Sequence, residues 1–111
     1  MMFGGEKRRR DRVYTHLVVQ MTNGKQHFYG YIENISAGGL GLVSMDYIEP
    51  HTKLICSFFL GDEERLNPSG TVIYIRKSVD IVYRYGIRFD AIGRWERRLI
   101  EEFTGRGKAV C

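Results

Sequence analysis

A chain of 111 residues with 43% apolar and 27% charged side chains has the composition of one soluble globular domain, because a second hydrophobic core would lack the residues to close. No run approaches the roughly 18 to 20 consecutive apolar residues of a membrane-spanning helix. Met1-Met2-Phe3-Gly4-Gly5 meets a charged segment without the apolar stretch of a secretory signal, which makes a cytoplasmic protein the expectation.

In chain order the first feature is electrostatic. Lys7-Arg8-Arg9-Arg10-Asp11-Arg12 puts five cations into six residues of a chain whose formal charge is only +4. Such a run suits a phosphate-bearing partner, although alone it also reads as a solvated basic tail. Residues 1–12 carry few apolar groups after Phe3 and are expected to form a flexible arm.

From Val13 onward β-branched and aromatic residues alternate at period two between turn signals. Six strands are predicted, over Val13–Met21, Gln26–Ile35, Gly39–Ser44, Lys53–Leu60, Ser69–Lys77 and Val79–Asp90. Short connections, among them Asn23-Gly24, Glu49-Pro50-His51 and Gly61-Asp62-Glu63-Glu64, favour an antiparallel, closed or nearly closed barrel. In the last strand Ile81, Tyr83, Tyr85, Ile87 and Phe89 share one face, with Val82, Arg84, Gly86 and Arg88 on the other.

Trp95, Leu99 and Phe103, with Ile100 beside them, then form the apolar stripe of an amphipathic helix whose opposite side carries Glu96, Arg97, Glu101 and Glu102. The helix must cover an end or an open side of the barrel. The division is therefore an arm over 1–12, a barrel with its helix over 13–104, and a loose tail over 105–111. Cys56, inside a strand pattern, reads as a buried thiol, and Cys111 as an exposed one; no disulfide framework or metal site is spelled out.

Asn23-Gly24 suggests a two-residue type I′ hairpin, with positive φ at both residues. That register faces Thr22 with Lys25, Val19 with Phe28 and Val13 with Asn34, subject to a one-residue shift at a β-bulge. Continued one step, it sets Arg12 opposite Ile35 and brings the basic run beside Asn34-Ile35-Ser36. Guanidinium groups bind phosphate bidentately, pair with guanine O6 and N7, and stack on bases. Asn34 and Ser36 offer amide and hydroxyl groups at the end of a strand, and Gly38 and Gly39 permit close approach or positive φ. Alone, Asn34–Gly39 would read as an Asx or Ser/Thr turn ending a strand. Arg88 lies outside the core, either reaching a ligand over the gap at Gly86 or pairing with an acidic neighbour.

Arg8-Arg9-Arg10-Asp11-Arg12 followed one hairpin later by Asn34-Ile35-Ser36-Ala37-Gly38-Gly39 resembles the paired R-x-x-x-R and [DN]-x-S-x-x-G motifs of the PilZ domain. Leu40-Gly41-Leu42 and Tyr85-Gly86-Ile87-Arg88-Phe89 resemble the family too, over about residues 6 to 104. The resemblance implies an all-β, six-stranded antiparallel split barrel with a C-terminal α-helix. It implies a cyclic di-GMP receptor that changes conformation and signals to an unidentified protein partner, with no catalytic residue, metal or further cofactor. The candidate ligand-binding residues are Arg8, Arg9, Arg12, Asn34, Ser36, Gly38, Gly39 and Arg88. Asn34 stands where Asp is frequent, which implies a weaker acceptor for guanine N–H groups. Lys7 stands where an added Arg favours a stacked ligand dimer, which implies one ligand per site.

Two other binding classes compete with this reading. A small barrel for RNA or DNA would use the arm with Tyr29 and Tyr31, but the other cations are scattered among 13 acids, so nucleic acid is disfavoured. A PilZ-fold interaction module without ligand is opposed by the intact motifs. For an enzyme, His16, His27 and His51 lack metal-ligand spacing, and Asp62-Glu63-Glu64 reads as a solvated turn.

Overall fold

The computed structural model of the protein describes residues 13–61, 64–77 and 81–110, with side chains through residue 105. The predicted arm over 1–12 lies outside the described residues. The elements are β1 (Val13–Thr22), β2 (His27–Ser36), β3 (Gly39–Ser44), β4 (Lys53–Leu60), β5 (Glu64–Leu66), β6 (Ser69–Lys77), β7 (Tyr83–Ala91) and α1 (Arg94–Val110).

Six of the strands close an antiparallel barrel in the order β1-β2-β3-β7-β6-β4, and β4 returns to β1 through Gln20↔Ser57, Met21↔Cys56 and Thr22↔Ile55. Closure removes the unpaired edges that an open sheet presents. The period-two residues point inward, where Val19, Met21, Ile32, Leu40, Leu42, Leu54, Phe58, Val72 and Ile87 form one buried core. Cys56 belongs to that core, and burial pushes its thiol up to about 12, so it acts as a small hydrophobe. No described helix is long and apolar enough to cross a membrane.

The seventh strand, β5, was not expected. It is three residues long, too short for periodicity to register, and it folds back on β4 through Phe58↔Leu66 and Leu60↔Glu64. Its fully buried Leu66 contributes to the core, so Glu64, read as part of a solvated turn, is a strand residue.

The first hairpin also departs from its predicted register. The pairs are Thr22↔His27, Val19↔Gly30 and Leu17↔Ile32, two residues beyond the expected alignment. The Asn23 side chain causes this, because its Oδ1 accepts from the amides of Lys25 (2.9 Å) and Gln26 (2.8 Å) and widens the loop to four residues. Only Gly24 there has positive φ, at 97°. A shift of two leaves every side chain on its predicted face. Between Leu17 and Tyr14 the register slips by one, so that Val13 meets Ile35.

In β7, Tyr85 and Ile87 point inward as expected, but Ile81 precedes the strand and is 73% exposed. Helix α1 runs to Val110, through Gly105 and Gly107 of the predicted tail. Each glycine costs about 1 kcal/mol relative to Ala but leaves the backbone bonds intact. The packed stripe is also rotated. Ile100 and Thr104 are buried, Leu99 and Phe103 pack at its border, and Trp95 stays 54% exposed. Glu96, predicted to face solvent, is buried because its two oxygens accept from the amides of Asn67 (2.9 Å) and Gly93 (3.0 Å). The Gly93 bond satisfies an otherwise unpaired amide at the helix start, and the Asn67 bond ties α1 to the loop before β6.

Tyr85 supplies a comparable polar pin inside the barrel. Its hydroxyl donates to the Asp46 carbonyl (2.7 Å) and accepts from the Ile48 amide (2.8 Å), holding the loop after β3. Tyr85→Phe keeps the ring and leaves both backbone groups without this partner, which costs about 1–3 kcal/mol. The expected outcome is a lowered urea midpoint with an unchanged slope; an unchanged midpoint would show that the hydroxyl carries no stability.

Candidate ligand-binding site

The strand registers assemble residues that are far apart in sequence. Tyr14, Asn34, Gly41, Gly86 and Tyr74 form one transverse row across β1, β2, β3, β7 and β6. Ser36, Gly39, Arg88 and Thr71 form a second, across β2, β3, β7 and β6. The second half of the sequence motif and Arg88 thereby become neighbours.

Ser36 ends β2 with its side chain fully buried. Its Oγ accepts from the Gly38 amide (3.3 Å) and donates to the Gly39 carbonyl (3.5 Å), which closes the turn into β3. The Ser/Thr-turn reading of this segment is thus present in the site itself. Gly39 has no positive φ; a Cβ there would collide with the Ile87 carbonyl oxygen, so the absence of a side chain is what brings β3 against β7. The Phe89 amide donates to the Gly38 carbonyl (2.9 Å) and fixes the turn on β7. Asn34 lies with its amide across Gly41, where a Cβ would stand 2.9 Å from its Nδ2.

Beside this turn lies an open cavity of about 420 Å³, lined by Ser36, Ala37, Gly38, Gly39, Ile73, Ile87, Arg88, Phe89 and Arg97. The volume falls within the range of small-molecule sites, roughly 300–1,000 Å³. Arg88 is partly exposed and pairs with Asp90 (Nη2–Oδ1 3.3 Å), which also meets Lys53 (3.5 Å) and takes a hydrogen bond from the Thr71 hydroxyl. The salt-bridge reading of Arg88 therefore holds, and the residue also lines the cavity. The gap expected at Gly86 is closed, because the Tyr74 ring occupies the place of a Cβ there.

The Thr71 hydroxyl, then Arg88 and Lys53, hold the Asp90 carboxyl below the usual carboxylate range against the opposing effect of burial. A lowered carboxylate contributes stability that is present above its unfolded value and is lost as pH falls through the lowered folded value. The Arg88–Asp90 pair accordingly persists through the neutral range.

Of the predicted residues, the structure brings together Ser36, Gly38, Gly39 and Arg88 at the cavity and sets Asn34 in the adjacent row. Arg8, Arg9 and Arg12 lie outside the described residues, and the chain enters the described structure at Val13, paired with Ile35. Arg97, which the sequence placed on a solvent face, also lines the cavity, because of where α1 is placed. A second depression, of about 430 Å³, is lined by Val18, Tyr29, Tyr31, Val43 and Met45 with Asp46, and none of its lining residues is a cation. Among the described residues no cluster of His, Cys, Asp and Glu could hold a metal.

The family model for the PilZ domain matches residues 6–106. Comparison with curated proteins yields no significant match. Among solved structures, the chain is similar to Bacillus subtilis MotI/DgrA, an inhibitor of motility, with TM-score 0.82 and 18% identity over 91% of this chain and 51% of that one. It is similar to the PilZ domain of Escherichia coli YcgR with c-di-GMP, with TM-score 0.70 and 15% identity over 94% and 93% of the two chains. It is also similar to K. pneumonia MrkH, with TM-score 0.73 and 16% identity over 87% and 47%. The chain thus spans about half the length of the MotI and MrkH chains. Together, the matched span and the shared barrel with its C-terminal helix establish that this chain belongs to the PilZ domain family.

Proposed function

We propose that the protein is a receptor for cyclic di-GMP that reports ligand occupancy to a protein partner. The observation that carries this reading is the cavity in which the Ser36–Gly39 turn meets Arg88, next to the strand pair where the arginine-bearing segment joins β1. The similar YcgR PilZ domain, whose structure contains c-di-GMP, supports the choice of ligand.

In this reading Arg8, Arg9 and Arg12 supply planar cations to phosphates and guanine edges, which suits a ligand with two phosphates and two guanines. Asn34 presents an amide from the adjacent row. Ser36, buried and committed to its turn, acts by holding Gly38 and Gly39 in place. Arg88 adds a cation oriented by Asp90. Five cations within residues 7 to 12 repel one another until an anion neutralises them, so binding bridges the arm to a turn already fixed on β7. The bridged arm presents a new surface to the partner.

Calorimetric titration with cyclic di-GMP, with GMP as control, tests the reading directly. Arg12→Ala is expected to abolish measurable binding while the melt stays within about ±0.5 kcal/mol, as for surface substitutions in general; unaltered affinity would remove Arg12 from the site. For the ordering of the arm the readout is hydrogen exchange. Amides of about residues 6 to 12 are expected to gain protection with ligand, and equal protection with and without it would rule out the switch.

A further inference from the structure

The cavity beside the Ser36–Gly39 turn has one polar wall that the barrel does not supply. Arg97 lines it from α1, while Arg88 lines it from β7, and Ile73, Ile87 and Phe89 give it apolar walls. The start of α1 is fixed, because the neighbouring Glu96 is buried with both oxygens on backbone amides. Arg97 is therefore carried on a positioned turn of helix.

Its guanidinium is held only loosely. Nη1 stands 3.8 Å from Glu101 Oε2, and both side chains are about half exposed, at 50% and 56%. Exposed pairs one helical turn apart are weak. A phosphate offers the planar fork of arginine a bidentate partner and carries its charge on several oxygens. We propose that Arg97 is a further phosphate-binding residue of this site, exchanging Glu101 for a phosphate oxygen of cyclic di-GMP and so coupling α1 to ligand occupancy. This rests on the receptor reading above. Two cations from two elements then converge on one ligand, and the helix that carries the second is the element that packs on β1, β2 and β4.

The test is calorimetric titration of the full chain and of the variants Arg97→Ala, Arg97→Lys and Glu101→Gln with cyclic di-GMP. Emission of Trp95, the single tryptophan and two residues from Arg97, is recorded alongside. Arg97→Ala is expected to weaken binding about ten-fold, the size of one charge-assisted hydrogen bond, with an unchanged melt. Arg97→Lys falls between, and Glu101→Gln, which frees the guanidinium, binds about two-fold tighter. The ligand-induced change in Trp95 emission at saturation shrinks in Arg97→Ala, which a purely structural role would not produce. Wild-type binding with equal affinity in Arg97→Ala overturns this inference and leaves the receptor reading standing. No binding by the wild type overturns both. Should Arg97→Ala melt early, Glu101→Gln decides, because it keeps the cation and equal or weaker binding then overturns the proposal.

Discussion

The approach of β3 to β7 is the constraint on which the site and much of the core depend. A side chain at Gly39 would collide with the Ile87 carbonyl oxygen, so only a bare backbone allows the Gly39↔Arg88 and Leu40↔Ile87 pairs to form. The same contact faces inward and outward at once. Inward, Leu40, Leu42 and Ile87 bury against one another; outward, Arg88 comes into the row of Ser36 and Gly39. Other glycines leave room in the same way, Gly30 for the Val43 carbonyl oxygen, Gly41 for the Asn34 amide and Gly86 for the Tyr74 ring. Backbone contact fixes Gly39 and Gly30 most firmly, and positive φ plays no part at any of these glycines.

On the barrel side the cavity wall is held by several contacts. The turn is fixed by Ser36 Oγ and by the Phe89 amide on Gly38, and Asp90 orients Arg88. The helix is held by different means, through Ile100 in the core and Glu96 on two amides. Buried carboxylates of this kind are costly unless their hydrogen bonds are complete, and here two donors meet the two oxygens. The position of α1 is thus set by polar contacts as well as by apolar burial.

Much of this was legible in the sequence, and what was not has specific causes. Period-two alternation put Tyr85 and Ile87 on one face of the last strand and Cys56 inside another; all three are buried, and closure followed from short antiparallel links. The hairpin register was off by two because the Asn23 side chain took two amides that a type I′ turn leaves to the backbone. The faces survived because two is the strand period. Strand β5 is too short to announce itself. On the helix, Trp95, Leu99 and Phe103 recur every four residues with Ile100 beside them, and periodicity does not say which side of that stripe finds the barrel. Gly93 followed three residues later by Glu96 was a partial signal, lacking the Ser or Thr of a capping box. Ser36, Gly39 and Arg88 were named through the resemblance to the family's motifs, whereas the place of Arg97 on the cavity wall required knowing where α1 lands.

Among the described residues, no cation lines the depression that holds Tyr29 and Tyr31. Several described cations are answered locally, Arg84 by Glu33, Lys53 and Arg88 by Asp90, and Arg97 by Glu101, while Arg65 and Arg76 lie over the rings of Phe59 and Tyr74. Tyr29 and Tyr31, the aromatics that a stacking groove would use, line the apolar depression with Asp46, and Tyr31 is already stacked on His16 at 4.6 Å. A strand-binding groove needs cations tracking the phosphates beside its aromatics, because that electrostatic term supplies most of its affinity. Among the described residues the cations of the cavity and these two tyrosines are segregated. Arg88 and Arg97 instead line the cavity whose other walls are the tight turn and three apolar side chains.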